Sequence, residues 1–234
     1  MKPVRLLATI ALLVVGPQTA AAQVGNFKFL AGSGINAFGV QVGTYKGQLD
    51  GQNVDVWCVD FLNHVQVGNQ YQVNITGLGG LNPDLSKTRF GTFNNQPARY
   101  RQAAWLATQF TTLSKTSTNW GPLHAAIWNL LTPGAISVTG SVNTQMNYWL
   151  NQAAANYQKY YYNNVYVLSD VAIANCAANG PANAPWIGCG KQEHIVIDGG
   201  ALTVTPEPAT VGLLATGLVG LGGVSFFRRR KRNG

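Results

Sequence analysis

An uncharged apolar segment lies near each end of the chain, and any globular fold is therefore confined to the residues between them. Near the N-terminus, a ten-residue apolar run from Leu6 to Val15 follows two basic residues. Near the C-terminus, the 19 residues from Ala209 to Phe227 contain no charged side chain. As a helix the second segment is about 28 Å long, close to the ~30 Å core of a bilayer, whereas the first is too short to span one.

The N-terminal segment has the order of features that is typical of a secretory signal peptide. Lys2 and Arg5 form the basic start, the apolar run follows, and Ala20–Ala22 provides small residues for cleavage before Gln23. A buried N-terminal helix is the alternative, but it does not explain this order. We therefore predict that residues 1–22 are a signal peptide and that the protein is exported.

The C-terminal segment combines three features in order. A Pro206-Glu207-Pro208 motif precedes the apolar span, and five basic residues follow it: Arg228, Arg229, Arg230, Lys231 and Arg232. The positive-inside rule holds such a cluster in the cytoplasm, so the preceding domain lies on the other side of the membrane. The signal peptide predicts the same orientation independently.

This arrangement resembles the PEP-CTERM sorting signal of Gram-negative and some other bacteria, over residues 205–234. The resemblance implies export by the Sec machinery, a precursor anchored in the inner membrane, and cleavage near the motif by the membrane protease exosortase. The protein would then be released or transferred to the cell surface or extracellular matrix, in bacteria that make exopolysaccharide and biofilm. An ordinary single-pass anchor that is never processed is the alternative.

The positive charge of the chain belongs mainly to these ends. The sequence has 16 Lys and Arg against 8 Asp and Glu, a formal charge of +8, yet only 10% of its residues are charged. Removing residues 1–22 and 206–234 leaves a nearly neutral domain. Because nucleic-acid binding depends on clustered basic residues, the sequence does not favour nucleic acid as a partner.

The sequence of residues 23–204 predicts a single α+β domain, in which a three-helix segment is inserted between β-strands. Alternating apolar residues predict the strands Asn26–Leu30, Phe38–Leu49, Asn53–Val59, Tyr71–Ile75, Val165–Leu168, Ile195–Ile197 and Leu202–Val204. Between them, apolar stripes predict three helices: one starting near Pro97, one capped by Asn119, and one capped by Ser141.

Two of the three cysteines flank a turn-rich loop. Because export permits disulfides, we predict a bond between Cys176 and Cys189, which would stabilise the fold by roughly 3 kcal/mol. A metal site that adds His194 and Glu193 is the alternative, but it needs a better fourth ligand. We expect no metal and no cofactor.

Cys58 is then left without a disulfide partner. It lies in Val56-Trp57-Cys58-Val59-Asp60-Phe61, and the later segments Arg101–Leu106 and Leu123–Trp128 each contain a tryptophan. Together these segments resemble the thioester domains of bacterial surface adhesins, over about residues 50–135. In that family the cysteine thiolate attacks a glutamine carboxamide, expels ammonia and leaves an electrophilic thioester that captures an amine on a target surface.

The sequence departs from this family where the bond would form, because His124 stands in place of the glutamine. An imidazole has no carboxamide that a thiol can attack. Gln102 is a substitute only if its helix packs against the Cys58 strand. The resemblance therefore implies a thioester-type scaffold without the crosslink.

A cysteine nucleophile activated by His124 and oriented by Asp60 is a second possibility for Cys58. No oxyanion-hole motif accompanies it, and Asp60 is badly placed to orient a distant histidine. Cys58 is predicted instead to be a small buried hydrophobe and His124 a packed, hydrogen-bonded residue. We expect that the protein is not an enzyme.

Carbohydrate binding is the remaining alternative. Trp120, Trp186 and the run Tyr160–Tyr162 would suit stacking on sugar rings of an exopolysaccharide if they are exposed. If they build the core, they have no such role. The sequence thus predicts an exported protein with a structural or adhesive role at the cell surface or in the matrix, with carbohydrate binding and Cys58 chemistry as alternatives.

Overall fold

The computed structural model describes residues 23–91, 96–175 and 188–199. The strands are β1 (Gln23–Ala31), β2 (Asn36–Ala37), β3 (Val40–Gln41), β4 (Tyr45–Leu49), β5 (Gln52–Cys58), β6 (Gln70–Gly77), β7 (Val165–Asp170) and β8 (His194–Ile197). The helices are α1 (Gln96–Gln109), α2 (Ser117–Leu131) and α3 (Gly140–Asn156). Short 3-10 turns occur at Phe110–Thr112, Tyr157–Lys159 and Val171–Asn175.

Six strands form a closed barrel in the order β1-β4-β5-β8-β7-β6, in which every neighbouring pair is antiparallel. β8 comes from the C-terminal side of the helices and inserts between β5 and β7, so strands from both ends of the domain complete the sheet. Closure leaves no barrel edge exposed for pairing with another chain.

Alternating side chains fill the barrel, as the period of two in a strand requires. Phe27, Phe29, Tyr45 and Leu49 are all buried, and the rings of the first three surround His194. Gly47 is needed in β4 because a Cβ at this position would lie 2.5 Å from the Phe27 ring. The interior is thus closely packed with rings.

The opposite face of several strands packs beneath the helices. Trp57, Ile195 and Val167 are paired across β5, β8 and β7, and all three are buried. α1 contacts β8, while α2 packs against α1, α3 and the short strand β2. The helical layer therefore covers one side of the barrel, and α2 also reaches the barrel end at Cys58.

The mixed architecture of strands and three helices confirms the expected combination of elements, but the sequence did not predict closure of the sheet into a barrel. The predicted strand Phe38–Leu49 is wrong as one element, because it begins in the turn between β2 and β3 and then divides into β3 and β4. Phe38 and Gly39 have φ values of 55° and 77°, as in a tight hairpin turn, and Gly43 has φ 108°. A Cβ at Gly43 would also lie 2.0 Å from Trp120.

The helix starts also differ from the prediction. Thr116, not Asn119, caps α2, and its side chain accepts a hydrogen bond from the Asn119 backbone N–H. Thr139, not Ser141, precedes α3. The Thr116 hydroxyl satisfies an N–H group of the first turn of α2, whereas the Thr139 side chain makes no capping hydrogen bond, and both predictions placed the cap two or three residues too late.

Several predicted segments lie outside the described residues. They are the signal peptide 1–22, the strand Leu202–Val204, and the sorting signal with Pro206, Glu207, Pro208 and the basic cluster. Within the described ranges, no helix is long and apolar enough to cross a membrane.

Candidate functional site

Cys58 ends β5 inside the barrel and is completely buried. Its thiol lies 3.2 Å from the Asp60 carbonyl oxygen and accepts a hydrogen bond from the Trp128 indole N–H at 3.4 Å. Burial, followed by the nearby Asp60 carboxylate, raises the pKa of the Cys58 thiol far above its usual range. The sulfur is therefore a neutral thiol in an enclosed site, which is a poor nucleophile.

His124 lies on α2 and joins three parts of the fold. The Gly43 backbone N–H donates to Nδ1 at 2.7 Å, so the ring proton is on Nε2, which donates to the Cys58 carbonyl oxygen at 2.8 Å. The ring also stacks on Trp128, with centroids 4.1 Å apart. His124 thus connects α2 to the chain before β4 and to the end of β5, and it is the packed, hydrogen-bonded histidine that the sequence predicted.

This arrangement leaves His124 unable to act as a base for Cys58. Nδ1 already accepts a hydrogen bond from the Gly43 N–H. Nε2 donates to the Cys58 carbonyl oxygen and does not point to the sulfur. Burial also lowers the pKa of His124 to about 4, so the ring is neutral near pH 7. The geometry supports a structural role for the pair.

Gln102, the substitute carboxamide, lies on α1 and is half-buried. The two hydrogen-bonding contacts of the Cys58 sulfur are with Asp60 and Trp128. The residues around the thiol therefore come from the loop after β5 and from α2, rather than from Gln102.

Asp60 belongs to a buried polar network beside the barrel end. Its carboxylate pairs with Arg89, with Nε and Oδ2 2.8 Å apart, and accepts hydrogen bonds from Leu62 and Asn63. The Arg89 Nη2 donates to the Lys191 carbonyl oxygen at 2.8 Å. Asp60 therefore fixes the loop after β5 and does not orient His124, in agreement with the expectation that it is badly placed to do so.

Glu193 is the second carboxylate of this network and is completely buried just before β8. It accepts hydrogen bonds from the Tyr100 and Ser169 hydroxyls and from the Arg89 backbone N–H. Burial raises the pKa of Glu193 to about 6 despite these donors. Through Arg89 the network links the loop after β5 to α1, β7 and the segment before β8.

His194 is also completely buried at the barrel end. It lies among the rings of Phe27, Phe29 and Tyr45, and burial lowers its pKa to about 3. Neither ring nitrogen makes a well-formed hydrogen bond with the described residues. With Glu193 committed to its network, these two residues are not placed as ligands of a common metal ion. No metal-binding group of three or more His, Cys, Asp or Glu side chains occurs in the described part of the chain.

A cleft of about 240 Å³ opens above this barrel end. Its aromatic walls are Phe29, Tyr45, Phe61 and Trp128, and its polar lining residues are Gln41, His64 and Gln192. Trp128 separates the cleft from the Cys58 thiol, since the indole contacts both. His64, for which the sequence suggested no partner, is an exposed residue of this cleft.

The aromatic residues proposed for sugar stacking have different positions. Trp120 is buried, so its ring belongs to the core. Tyr161 is 85% exposed, while Tyr160 is half-buried and Tyr162 is buried. Trp186 lies outside the described residues. Only one ring of this set is thus shown fully at the surface.

Tyr161 lines a second cleft of about 260 Å³, far along the chain from Cys58. We call this cleft the tyrosine groove, and its defining residues are Arg101, Tyr157, Tyr160, Tyr161 and Tyr162. Arg101 donates from Nε and Nη2 to the Leu78 carbonyl oxygen and packs over the Tyr162 ring at 5.5 Å. The groove is therefore built from fixed side chains of α1 and the turn after α3.

The predicted disulfide is described in part. Cys189 is disulfide-bonded and Cys58 is a free, buried cysteine. Cys176 lies outside the described residues, so its pairing with Cys189 stays a prediction.

Comparison with known proteins gives no relative: no family model, curated protein or solved structure matches the chain. Arguments about function therefore depend on the residues and their geometry.

Sequence reasoning missed Arg89 and the groove residues Arg101 and Tyr157. The sequence around Arg89 gave no signal, because this residue follows the polar run Ser86-Lys87-Thr88 and reaches Asp60 only through tertiary packing. No periodic pattern connects Arg101 with Tyr157, since they meet only when α1 packs beside the turn after α3.

Proposed function

We propose that the protein is an exported, exosortase-sorted surface or extracellular-matrix protein with a structural or adhesive role that is non-covalent. The sequence features at the two ends support the export and sorting part. The His124 geometry carries the non-covalent part, because both ring nitrogens are used in hydrogen bonds that hold the fold together. A scaffold that resembles a thioester domain would then serve as a rigid module for attachment.

The inaccessibility of Cys58 supports the same proposal. Covalent capture or cysteine catalysis needs a sulfur that a target can reach and that is activated. The Cys58 thiol is completely buried, has a raised pKa and is covered by Trp128. Attachment of the protein would therefore depend on surface contacts and not on this residue.

The test compares cells that express the wild-type protein with cells that express Cys58→Ala, in hosts with and without exosortase. We expect both proteins outside the inner membrane, shortened at both ends, and equally retained on the surface or in the matrix. Exosortase deletion should leave both as membrane-bound precursors. Uncleaved protein in exosortase-positive cells would contradict sorting, and loss of retention by folded Cys58→Ala would contradict the non-covalent role.

Carbohydrate binding is the second candidate function. The observation that favours it is the tyrosine groove, where an exposed ring stands beside a positioned guanidinium. An exposed aromatic ring that is not needed for the core leaves its face available for stacking on a ligand. An exopolysaccharide is then the natural partner for a matrix protein.

A further inference from the structure

We propose that the tyrosine groove binds an acidic polysaccharide, with the Tyr161 ring stacking on a sugar and Arg101 contacting a sugar carboxylate. This inference rests on the carbohydrate-binding candidate above and specifies its site and its substrate class. It is independent of Cys58 and of the cleft at the barrel end.

The Tyr161 ring provides the stacking surface. Its side chain is 85% exposed, although it lies between two tyrosines that are partly or fully covered. The single hydroxyl proton of Tyr162 is shared between the carbonyl oxygens of Tyr157 and Arg101, 2.6 and 3.0 Å from the hydroxyl oxygen, and its ring packs edge-on against Tyr160 at 5.1 Å. These contacts fix the backbone on which Tyr161 stands, so a ligand meets a surface that is already ordered.

Arg101 provides the charge. Its Nε and Nη2 donate to the Leu78 carbonyl oxygen, and Nη2 also donates to the Gly80 carbonyl oxygen. Within the described residues, these hydrogen bonds leave Nη1 for a ligand. Arg101 is also the one charged residue among those that line the groove. A guanidinium that is held by the protein and has a free nitrogen is suited to a carboxylate.

The polar rim of the groove favours a sugar over an apolar ligand. Gln158 and Asn163 are exposed and line the same cleft. Their amide groups offer donors and acceptors that hydroxyl groups of a sugar can use, whereas a lipid tail or an apolar peptide would leave them unpaired. The groove therefore offers an aromatic face, an amide rim and a single cation, and this combination suits an acidic pyranose unit.

The experiment measures binding of the full mature protein to alginate, a polymer of uronic acids, and to dextran, a neutral glucan, by affinity gel electrophoresis. Tyr161→Ala removes the stacking ring, and Tyr148→Ala is its matched control, because Tyr148 is 55% exposed on α3 and does not line the groove. Gln158→Glu adds a negative charge to the groove. Gln145→Glu adds the same charge at an exposed position of α3.

We expect wild-type protein to bind alginate more tightly than dextran and to lose affinity as salt increases. Tyr161→Ala should raise the Kd for alginate about tenfold, and Gln158→Glu several-fold, since aromatic stacking and a nearby like charge each act at this magnitude. The controls at Tyr148 and Gln145 should bind as wild type does. All four positions are at the surface, so circular dichroism should show unchanged folding.

Equal effects of Tyr161→Ala and Tyr148→Ala would overturn the site, and equal affinity for alginate and dextran would overturn the acidic substrate class. No binding to either polymer would overturn the whole inference. Retention of the same variants on cells is measured in parallel. Normal export and retention with no glycan binding would reject the groove while leaving the proposed surface role intact.

Discussion

Replacing His124 with alanine tests whether this residue is a structural connection or part of a reactive site. The substitution leaves two buried groups without their hydrogen-bond partner: the Gly43 N–H and the Cys58 carbonyl oxygen. His124 bonds to them at 2.7 and 2.8 Å. Each buried group without a partner costs about 1–3 kcal/mol. It also removes a ring that stacks on Trp128 at 4.1 Å.

At the lower end of this range, the two unpaired groups together cost about 2 kcal/mol. Loss of a fully buried ring adds about 2–3 kcal/mol, somewhat below the ~3–5 kcal/mol typical of Phe→Ala because imidazole is smaller. We therefore expect His124→Ala to lower the free energy of unfolding by about 4–5 kcal/mol. That is a large part of the ~5–15 kcal/mol typical of a domain.

The assay is urea denaturation of the purified domain, followed by circular dichroism. His124→Gln keeps a donor and an acceptor and should recover about half of the loss, while His64→Ala at an exposed position should change stability by less than about 0.5 kcal/mol. A loss below about 1 kcal/mol for His124→Ala would refute the structural reasoning. Unchanged stability with loss of attachment would instead indicate a reactive role.

Two further predictions concern pH and the thiol. His124 and His194, with folded pKa values of about 4 and 3 against 6.5 when unfolded, contribute stability that is present above pH 6.5 and is lost as the pH falls through these values. Glu193 acts in the opposite direction, because its folded pKa is raised to about 6. It contributes stability below its unfolded pKa, and this stability is lost as the pH rises through 6. Because two histidines lose stability while one carboxyl group gains it, stability by urea denaturation should fall as the pH is lowered from about 6.5 and continue to fall to about pH 3; equal stability at pH 3 and 7 would contradict this. For Cys58, a thiol reagent should modify the protein only after unfolding, and intact mass should show no loss of ~17 Da; rapid labelling of folded protein or that mass deficit would contradict the buried thiol.

Local patterns predicted the elements of this fold better than their arrangement. The period of two in β1, β5 and β7 and the apolar stripes of the helices are visible in the sequence because burial of one face sets them. Closure of the barrel depends on β8 entering between β5 and β7, a pairing of Cys58 with His194 that no local pattern contains. The break in the predicted strand Phe38–Leu49 was readable in part, because Gly39 and Gly43 mark positions of positive φ.

The sequence predicted those properties of the candidate site that depend only on the chemistry of a side chain. His124 lacks a carboxamide whatever the fold, and its position one turn before Trp128 predicts that the two rings meet. The partners of its nitrogens were not predictable, since Gly43 is 81 residues away and lies in a turn whose place depends on the whole barrel. The role of Asp60 was likewise set by Arg89, a residue that reaches it only through tertiary packing.

The few charges of the domain explain how its surface interacts. Asp60, Arg89 and Glu193 are buried and neutralise or hydrogen-bond one another, so they contribute to the connection between segments and not to the surface. Burying such groups is costly unless each is paired, which is why they occur together at one end of the barrel. On the outside, exposed Lys and Asp side chains, such as the paired Lys46 and Asp55, stand among amides, hydroxyls and a few exposed rings, and contacts made through the uncharged groups depend little on salt. Salt should then weaken binding mainly where a fixed cation takes part, and the guanidinium of Arg101 in the tyrosine groove is such a cation.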